Sequence, residues 1–129
     1  MLRWMRTTPL QKVVVIHANH PNEINADVDR ACRDLREAGA TVLNQSVLLK
    51  GINNSADILA ALSEVLFRSG VLPYYLHEMD RVLGAGHFEV QGGEGQTIMR
   101  ELNTRLPGYL VPRLVREVAG APGKTPVPW

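Results

Sequence analysis

Clusters of polar side chains follow the apolar segments of this sequence at four places, where they could bind a ligand or take part in catalysis. Histidines, amides and carboxylates at such positions can hydrogen-bond a ligand, exchange protons or hold a cation. Packing alone does not require so much polarity. The four clusters are His17-Ala18-Asn19-His20-Pro21-Asn22-Glu23, then Asn44-Gln45, then His77-Glu78-Met79-Asp80, and finally Glu117.

Each of these residues also has a simpler structural explanation. Lys124 lies in a loop-like string in which glycines let the backbone approach a ligand and prolines restrict the chain. On residue type alone, however, it is one more exposed lysine in a tail. The simpler explanation for Asp80 and Glu117 is that they are solvated carboxylates. For His17 and Gln45 it is that they form hydrogen bonds at strand ends. Residue types alone leave both explanations open.

The elements that must position these side chains alternate along the chain. Val13 to His17 is a β-branched run typical of a strand buried on both faces. Further strands are predicted over 41–49, 71–77 and 109–118. Pro73 must then sit at the beginning of its strand, where a missing hydrogen-bond donor is tolerated. The segment 119–129 contains three prolines and two glycines and is predicted to be an extended tail or loop.

Three helices are predicted between the strands. Asn25 caps the first helix, which Gly39 ends, and Ser55 caps the second, which ends at Gly70. The third runs over about 94–106. Strict alternation of strands and helices predicts an α/β fold with parallel strands and right-handed crossovers.

Two architectures satisfy this alternation, a small open doubly wound sheet and part of a β/α barrel. In both, ligands bind at the C-terminal ends of the strands, where the polar clusters lie. No glycine-rich phosphate-binding string follows the first strand, which disfavours a classical dinucleotide site.

Composition excludes several classes of protein. Fourteen Lys and Arg residues against thirteen Asp and Glu residues, scattered along the chain, disfavour nucleic acid and anionic membranes as partners. Cys32 is the only cysteine, so the chain alone cannot form a disulfide framework, a multi-cysteine zinc site or an iron–sulfur cluster. It is predicted to be a small core residue. The single cysteine fits a reducing cytoplasm best, which is the expected location. No apolar run is long enough to cross a membrane and no secretory hydrophobic region is found near Met1, so the chain is expected to be neither membrane-spanning nor exported.

Six strings of the sequence closely resemble the C-terminal part of the lysine 2,3-aminomutase family, in the order and with the spacing of that family. His77 is similar to the branch that makes β-lysine for elongation factor P, because the free-lysine mutases carry a tyrosine there. The strings are HANHPNE (17–23), LNQSVLLKGIN (43–53), PYYLH (73–77), GHF (86–88), PGYLVP (107–112) and GKTP (123–126).

The resemblance implies a radical S-adenosylmethionine isomerase that uses pyridoxal 5′-phosphate and a [4Fe-4S] cluster to convert L-lysine to β-lysine. It implies that Lys124 is the catalytic residue that carries pyridoxal phosphate covalently and that His77 packs against the pyridoxal ring. His17 and Gln45 are implied to line the S-adenosylmethionine and cofactor pocket. Asp80 and Glu117 are implied to hold the ε-ammonium of lysine. For His20, Asn22 and His87 it implies no role, and turn stabilisation is as plausible.

The three-cysteine motif that binds the cluster in the family is absent from this sequence. The resemblance therefore covers only the C-terminal portion of a partial β/α barrel, with about four parallel strands and three helices. Residues 1–10 are predicted as a leader or helix remnant, 11–118 as half a barrel and 119–129 as the cofactor-lysine loop and tail. The expected partners are the missing N-terminal half and a second copy of the chain. Two alternatives stay open: a non-catalytic or split-enzyme half, and an unrelated open-sheet α/β protein.

Overall fold

The computed structural model describes residues 5–6, 9–79, 93–117 and 123–129, and within them strands and helices alternate as expected. Short 3₁₀ helices lie at Pro21–Glu23 and Gly108–Leu110. The strands are β1 (Lys12–His17), β2 (Ala40–Val47), β3 (Val71–Glu78), β4 (Arg113–Glu117) and β5 (Lys124–Pro126), and the helices are α1 (Ala26–Glu37), α2 (Ala56–Arg68) and α3 (Glu94–Arg105).

The strands form one sheet in the consecutive order β1-β2-β3-β4-β5, with the first four parallel and β5 antiparallel to β4. Consecutive parallel strands joined by right-handed crossovers place every connecting helix on the same face, as in a β/α barrel. A doubly wound sheet instead reverses its strand order and carries helices on both faces. The described strands therefore form an open half of a barrel, which confirms the predicted fold class.

A hydrophobic core lies between the sheet and the helices. It contains Val42, Leu76 and Leu114 from the sheet, packed with Leu59 of α2 and Met99 of α3. Along β1 and β2 burial alternates from one residue to the next, because successive side chains point to opposite faces. No helix of the described residues covers the other face, where Val13 is 60% exposed. This uncovered face would line the interior of a closed barrel.

The signals at the helix ends explain where α1 and α2 begin and end. The side chain of Asn25 accepts a hydrogen bond from the backbone N–H of Val28 at 2.9 Å, as predicted for a cap. Gly39 and Gly70 follow α1 and α2 with positive φ angles of 92° and 78°, a conformation that glycine adopts without strain. The Ser55 side chain, by contrast, makes no capping hydrogen bond.

Three elements differ in detail from the sequence prediction. Pro73 is the third residue of β3, and a register shift between Asn44 and Gln45 of β2 accommodates it. Strand β4 begins at Arg113 rather than 109, because residues 108–110 form a 3₁₀ turn. The segment 119–129 is more than a tail or loop, since residues 124–126 pair with β4.

Cys32 is buried in the core between α1 and the sheet, as predicted, and its burial raises the pKa of the thiol. No helix in the described part of the chain has the length and hydropathy to span a bilayer.

Candidate functional site

Strand register brings the polar residues of different segments onto the uncovered face of the sheet. His17 pairs with Gln45, Gln45 with Tyr75, and Tyr75 with Arg113. Partners in register point to the same face, so these four side chains form one row across the sheet. His77, two residues beyond Tyr75, lies on that same face in the next row.

The short strand β5 brings Lys124 to this face. Lys124 lies directly opposite Glu117 in the antiparallel pairing, and its Nζ donates to Glu117 Oε1 at 3.0 Å. The lysine side chain is 26% exposed and that of the glutamate 71% exposed. The hydrogen bond from Lys124 and its charge hold the pKa of the Glu117 carboxyl below its usual range. A lysine from the tail and a carboxylate at a strand end thus form one ion pair.

An aromatic ring lies within reach of Lys124, and it belongs to Tyr75, which the sequence analysis did not select. The Nζ atom lies 5.6 Å from the centre of the Tyr75 ring, which is within the range of a cation–π contact. Tyr74 stacks on Tyr75 at 3.9 Å, and the His77 ring meets Tyr75 edge-on at 5.9 Å. The period of two along a strand was the available signal, because it places Tyr75 on the same face as His77.

His77 lies among the charged groups of the site. Burial is the main cause that lowers the pKa of its imidazole, and the positive charges of Lys124 and His17 lower it further. The Glu117 carboxylate acts in the opposite direction. His77 is therefore neutral at pH 7, so it can flank a ligand ring without adding a charge.

This arrangement predicts the titration of His77. Its imidazole will be half protonated at a pH below the ordinary value of about 6.5, because folding favours the neutral ring. Since the folded pKa is depressed, this contribution to stability is present above the ordinary value and is lost as pH falls through the folded one. Following the His77 ring carbons by NMR will show the depressed titration. Lys124→Met should raise its midpoint and Glu117→Gln should lower it; opposite shifts would contradict the arrangement.

Two buried asparagines fix the strand ends that carry the site residues. Asn44 is 2% exposed and bonds both the N–H and the C=O of Ala18, directly after His17. Asn53 is fully buried and donates to the carbonyls of Asn19 and Val47. The sequence analysis placed Asn44 among the polar clusters that could bind a ligand, and it quoted Asn53 only within a resembling string. For Asn44 the signal was an amide within the apolar run of β2, whose burial demands hydrogen-bond partners.

The structure brings five of the predicted site residues onto the uncovered face. Asp80 and His87 lie outside the described residues. His20 accepts a hydrogen bond from the backbone N–H of Asn22 at 3.1 Å and thereby caps a 3₁₀ turn, which is a turn-stabilising arrangement. The five residues together on the face are His17, Gln45, His77, Glu117 and Lys124.

Of the cofactors that the resemblance implies, the described residues fit pyridoxal phosphate but not an iron–sulfur cluster. Lys124 and Tyr75 line a cavity of about 230 Å³, and an amine beside aromatic rings is the chemistry that holds a pyridoxal ring. No group of three His, Cys, Asp or Glu residues suited to a metal occurs among the described residues. Cys32, the single cysteine, is in the core on the opposite face. This part of the chain therefore does not fit an iron–sulfur cluster.

Comparisons with known proteins find close relatives in sequence. The chain is 52% identical to the L-lysine 2,3-aminomutase of Escherichia coli (strain K12) over 118 residues, which are 92% of this chain and 34% of that protein. It is 41% identical to the L-lysine 2,3-aminomutase of Clostridium subterminale over 111 residues, 86% of this chain and 27% of that protein. The chain spans about a third of the length of these curated relatives. No protein-family model matches it.

A solved structure has a similar fold. The crystal structure of a radical SAM methyltransferase from Sphaerobacter thermophilus matches with a TM-score of 0.59 at 16% identity, over 90% of this chain and 38% of that one. At that identity the likeness concerns the fold alone. Together with the sequence relatives, it contradicts the alternative of an unrelated small open-sheet protein.

Proposed function

We propose that this chain, a homologue of the lysine 2,3-aminomutases over 92% of its length, supplies the cofactor lysine and part of the substrate site of such an enzyme. The reaction proposed for the assembled enzyme is the conversion of L-lysine to β-lysine by radical S-adenosylmethionine chemistry. His77, in place of the tyrosine of the free-lysine mutases, favours the branch that serves elongation factor P. The single thiol keeps the cytoplasm as the proposed location.

One observation carries this proposal: Lys124 and Glu117 form an ion pair on the uncovered face of a half-barrel. A solvent-facing tail lysine would have no reason to lie beside strand-end groups. Here β5 aligns it with them by backbone hydrogen bonds, so its amine is held close to a carboxylate and to aromatic rings. A pre-positioned amine and a nearby carboxylate suit a substrate that carries two amino groups.

Each residue of the uncovered face has a role in this proposal. Lys124 binds pyridoxal phosphate, and when bound that cofactor stabilises the substrate radical as the amino group migrates. Tyr75 and His77 flank the ring and exclude water from it. Glu117, together with Asp80, accepts hydrogen bonds from the distal ammonium of lysine, which orients the substrate. The roles of Lys124, His77, Asp80 and Glu117 are drawn from the resemblance, and the placement of Lys124, Tyr75, His77 and Glu117 on one face supports the proposal.

His17 and Gln45 lie at the other side of the same face, on β1 and β2. We propose that they contact the cofactor or S-adenosylmethionine by hydrogen bonds. The [4Fe-4S] cluster must be bound elsewhere, because Cys32 cannot supply three thiolates. Its ligands are proposed to come from the segment that the longer relatives contain and this chain does not match.

A split-enzyme half is the second candidate. It is favoured by the outer edge of β1, with which no described strand pairs, and by the uncovered apolar side chains of the sheet. Val13 and Val15 are exposed on that face, and an exposed apolar sheet surface favours association. In this case the chain binds the cofactor and substrate but is active only with a complementing chain.

Complementation tests the proposed function. We expect neither this chain nor a chain carrying the missing strands and a three-cysteine motif to form β-lysine alone, whereas the reconstituted pair will form it anaerobically. The assay separates α- and β-lysine by chromatography after adding S-adenosylmethionine, pyridoxal phosphate and a reductant. A partner with its three cysteines replaced by serine is the matched control. Binding of the pair without β-lysine formation would leave the non-catalytic half as the function.

A further inference from the structure

An ion pair lies behind the candidate site, at the C-terminal ends of β3 and β4. Glu78 and Arg116 are partners in register, and Arg116 Nη2 donates to Glu78 Oε1. Successive residues of a strand point to opposite faces, so this pair lies on the face that the helices cover. The adjacent residues His77 and Glu117 lie on the uncovered face. The same two strand ends therefore carry an ion pair on one face and site residues on the other.

Glu78 is the more buried partner of this ion pair. Its side chain is 13% exposed, whereas that of Arg116 is 41% exposed. The second carboxylate oxygen, Glu78 Oε2, is buried and has no hydrogen-bond partner in the part of the chain that the structure describes. A buried oxygen without a partner costs free energy, and a buried ion pair adds little net stability. Stability alone therefore does not account for Glu78, and fixing one arrangement of the strands is the better explanation.

The first turn of α3 confines the same carboxylate from another side. Gly95 is buried in this turn, and a Cβ atom added to it would lie 3.1 Å from Glu78 Oε2 and 3.4 Å from side-chain carbons of Leu48 and Leu114. A glycine within a helix is otherwise unfavourable relative to alanine. Its presence here lets the carboxylate approach the helix closely. Glu78 is therefore held between β4 and α3.

We propose that Glu78 is a positioning residue, which with Arg116 and Gly95 fixes the ends of β3 and β4 so that Glu117 is held beside Lys124. Glu117 directly follows Arg116 and is the last residue of β4. Its own side chain is 71% exposed, so packing around that side chain does little to hold it. The resemblance gives Glu78 no role. The inference rests on the proposed function only for its effect on substrate binding.

An NMR titration of the Glu117 carboxyl in the full 129-residue chain tests the positioning without a cofactor. In the wild-type chain Lys124 holds the pKa of this carboxyl below its usual range. Glu78→Met keeps an unbranched side chain but removes the acceptor for Arg116, so we expect the Glu117 pKa to rise as the carboxylate separates from Lys124. The direct effect of the lost charge has the opposite sign, because removing a nearby negative charge favours ionisation of Glu117. A rise therefore reports lost positioning.

Three further variants complete this test. Glu78→Gln keeps an acceptor for Arg116 and should not raise the Glu117 pKa. Glu101→Met removes an exposed carboxylate of α3 and, as the matched control, should leave that pKa unchanged. Gly95→Ala changes no charge but displaces the Glu78 carboxylate, so it should also raise the pKa, and it provides the test if Glu78→Met does not fold. No rise in either Glu78→Met or Gly95→Ala, or an equal rise in Glu78→Gln, would overturn the proposal.

Substrate binding to the assembled enzyme separates this inference from the proposed function. Glu78→Met should lower the preference for lysine over norleucine, which lacks the distal ammonium, by about threefold or more, and Glu78→Gln should keep it. A raised Glu117 pKa together with an unchanged preference would support the positioning role of Glu78. The same result would show that Glu117 does not bind the substrate ammonium, which contradicts the proposed function instead.

Discussion

Replacing Lys124 with alanine will abolish the borohydride-stable attachment of pyridoxal phosphate, in the assembled enzyme or in this chain complemented by its missing part. The amine of Lys124 is the nucleophile that the site holds beside Tyr75 and Glu117. We expect labelling to fall by more than about tenfold, to the background of the remaining amines. Peptide mapping by mass spectrometry after reduction measures the modified residue directly.

The sequence contains only two other lysines, which makes the controls complete. The amine of Lys12 is engaged in hydrogen bonds, because its Nζ donates to the backbone carbonyls of Met5 and Ala38. Lys50 lies exposed in the turn after β2. Lys12→Ala and Lys50→Ala should therefore keep the adduct. A reduced cofactor mapped to either residue would show that Lys124 is the wrong assignment, even within the same family.

Removing both proposed carboxylates should erase the preference of the assembled enzyme for lysine over norleucine. Norleucine has the same length but lacks the distal ammonium, so it brings no cation to Asp80 and Glu117. In the Asp80→Asn/Glu117→Gln variant this loss no longer distinguishes the two amino acids. We expect the ratio of their dissociation constants, measured by equilibrium binding to the assembled enzyme, to fall by about tenfold or more.

Matched variants show whether this effect comes from the site. Glu101→Gln changes an exposed carboxylate on α3 and should leave the preference intact. Glu117→Gln alone should lower it only in part. Because Glu117 pairs with Lys124 in this structure, the carboxylate must share or release that lysine when a substrate ammonium arrives. A double variant that still chose lysine would place the ammonium elsewhere.

The order and type of the main elements could be predicted from the sequence, because the signals for them are local. The β-branched run of β1 and the cap at Asn25 act over a few residues, as do the glycines that end α1 and α2. Because these signals are local, they did not predict the position of Pro73, which depends on pairing with another strand. Pro73 was expected at a strand beginning, yet a register shift in the pairing with β2, where Tyr74 is the extra residue of β3, lets it lie inside β3.

The candidate site could be predicted as a set of residues but not as an arrangement. His17, Gln45, His77, Glu117 and Lys124 were selected from their strings, and their roles stay predictions. That they share one face follows from pairings between separate strands, such as Gln45 with Tyr75 and Glu117 with Lys124, which no local pattern contains.

The sequence by itself determined that this chain alternates strands and helices, resembles one enzyme family and cannot bind a three-cysteine cluster. Only the tertiary structure decided that β5 pairs with β4 and that Tyr75 lies beneath Lys124. The physical reason is that β5 is three residues long and ends in proline. Such a segment has little tendency to form a strand alone, and the hydrogen-bonding edge of β4 is what orders it.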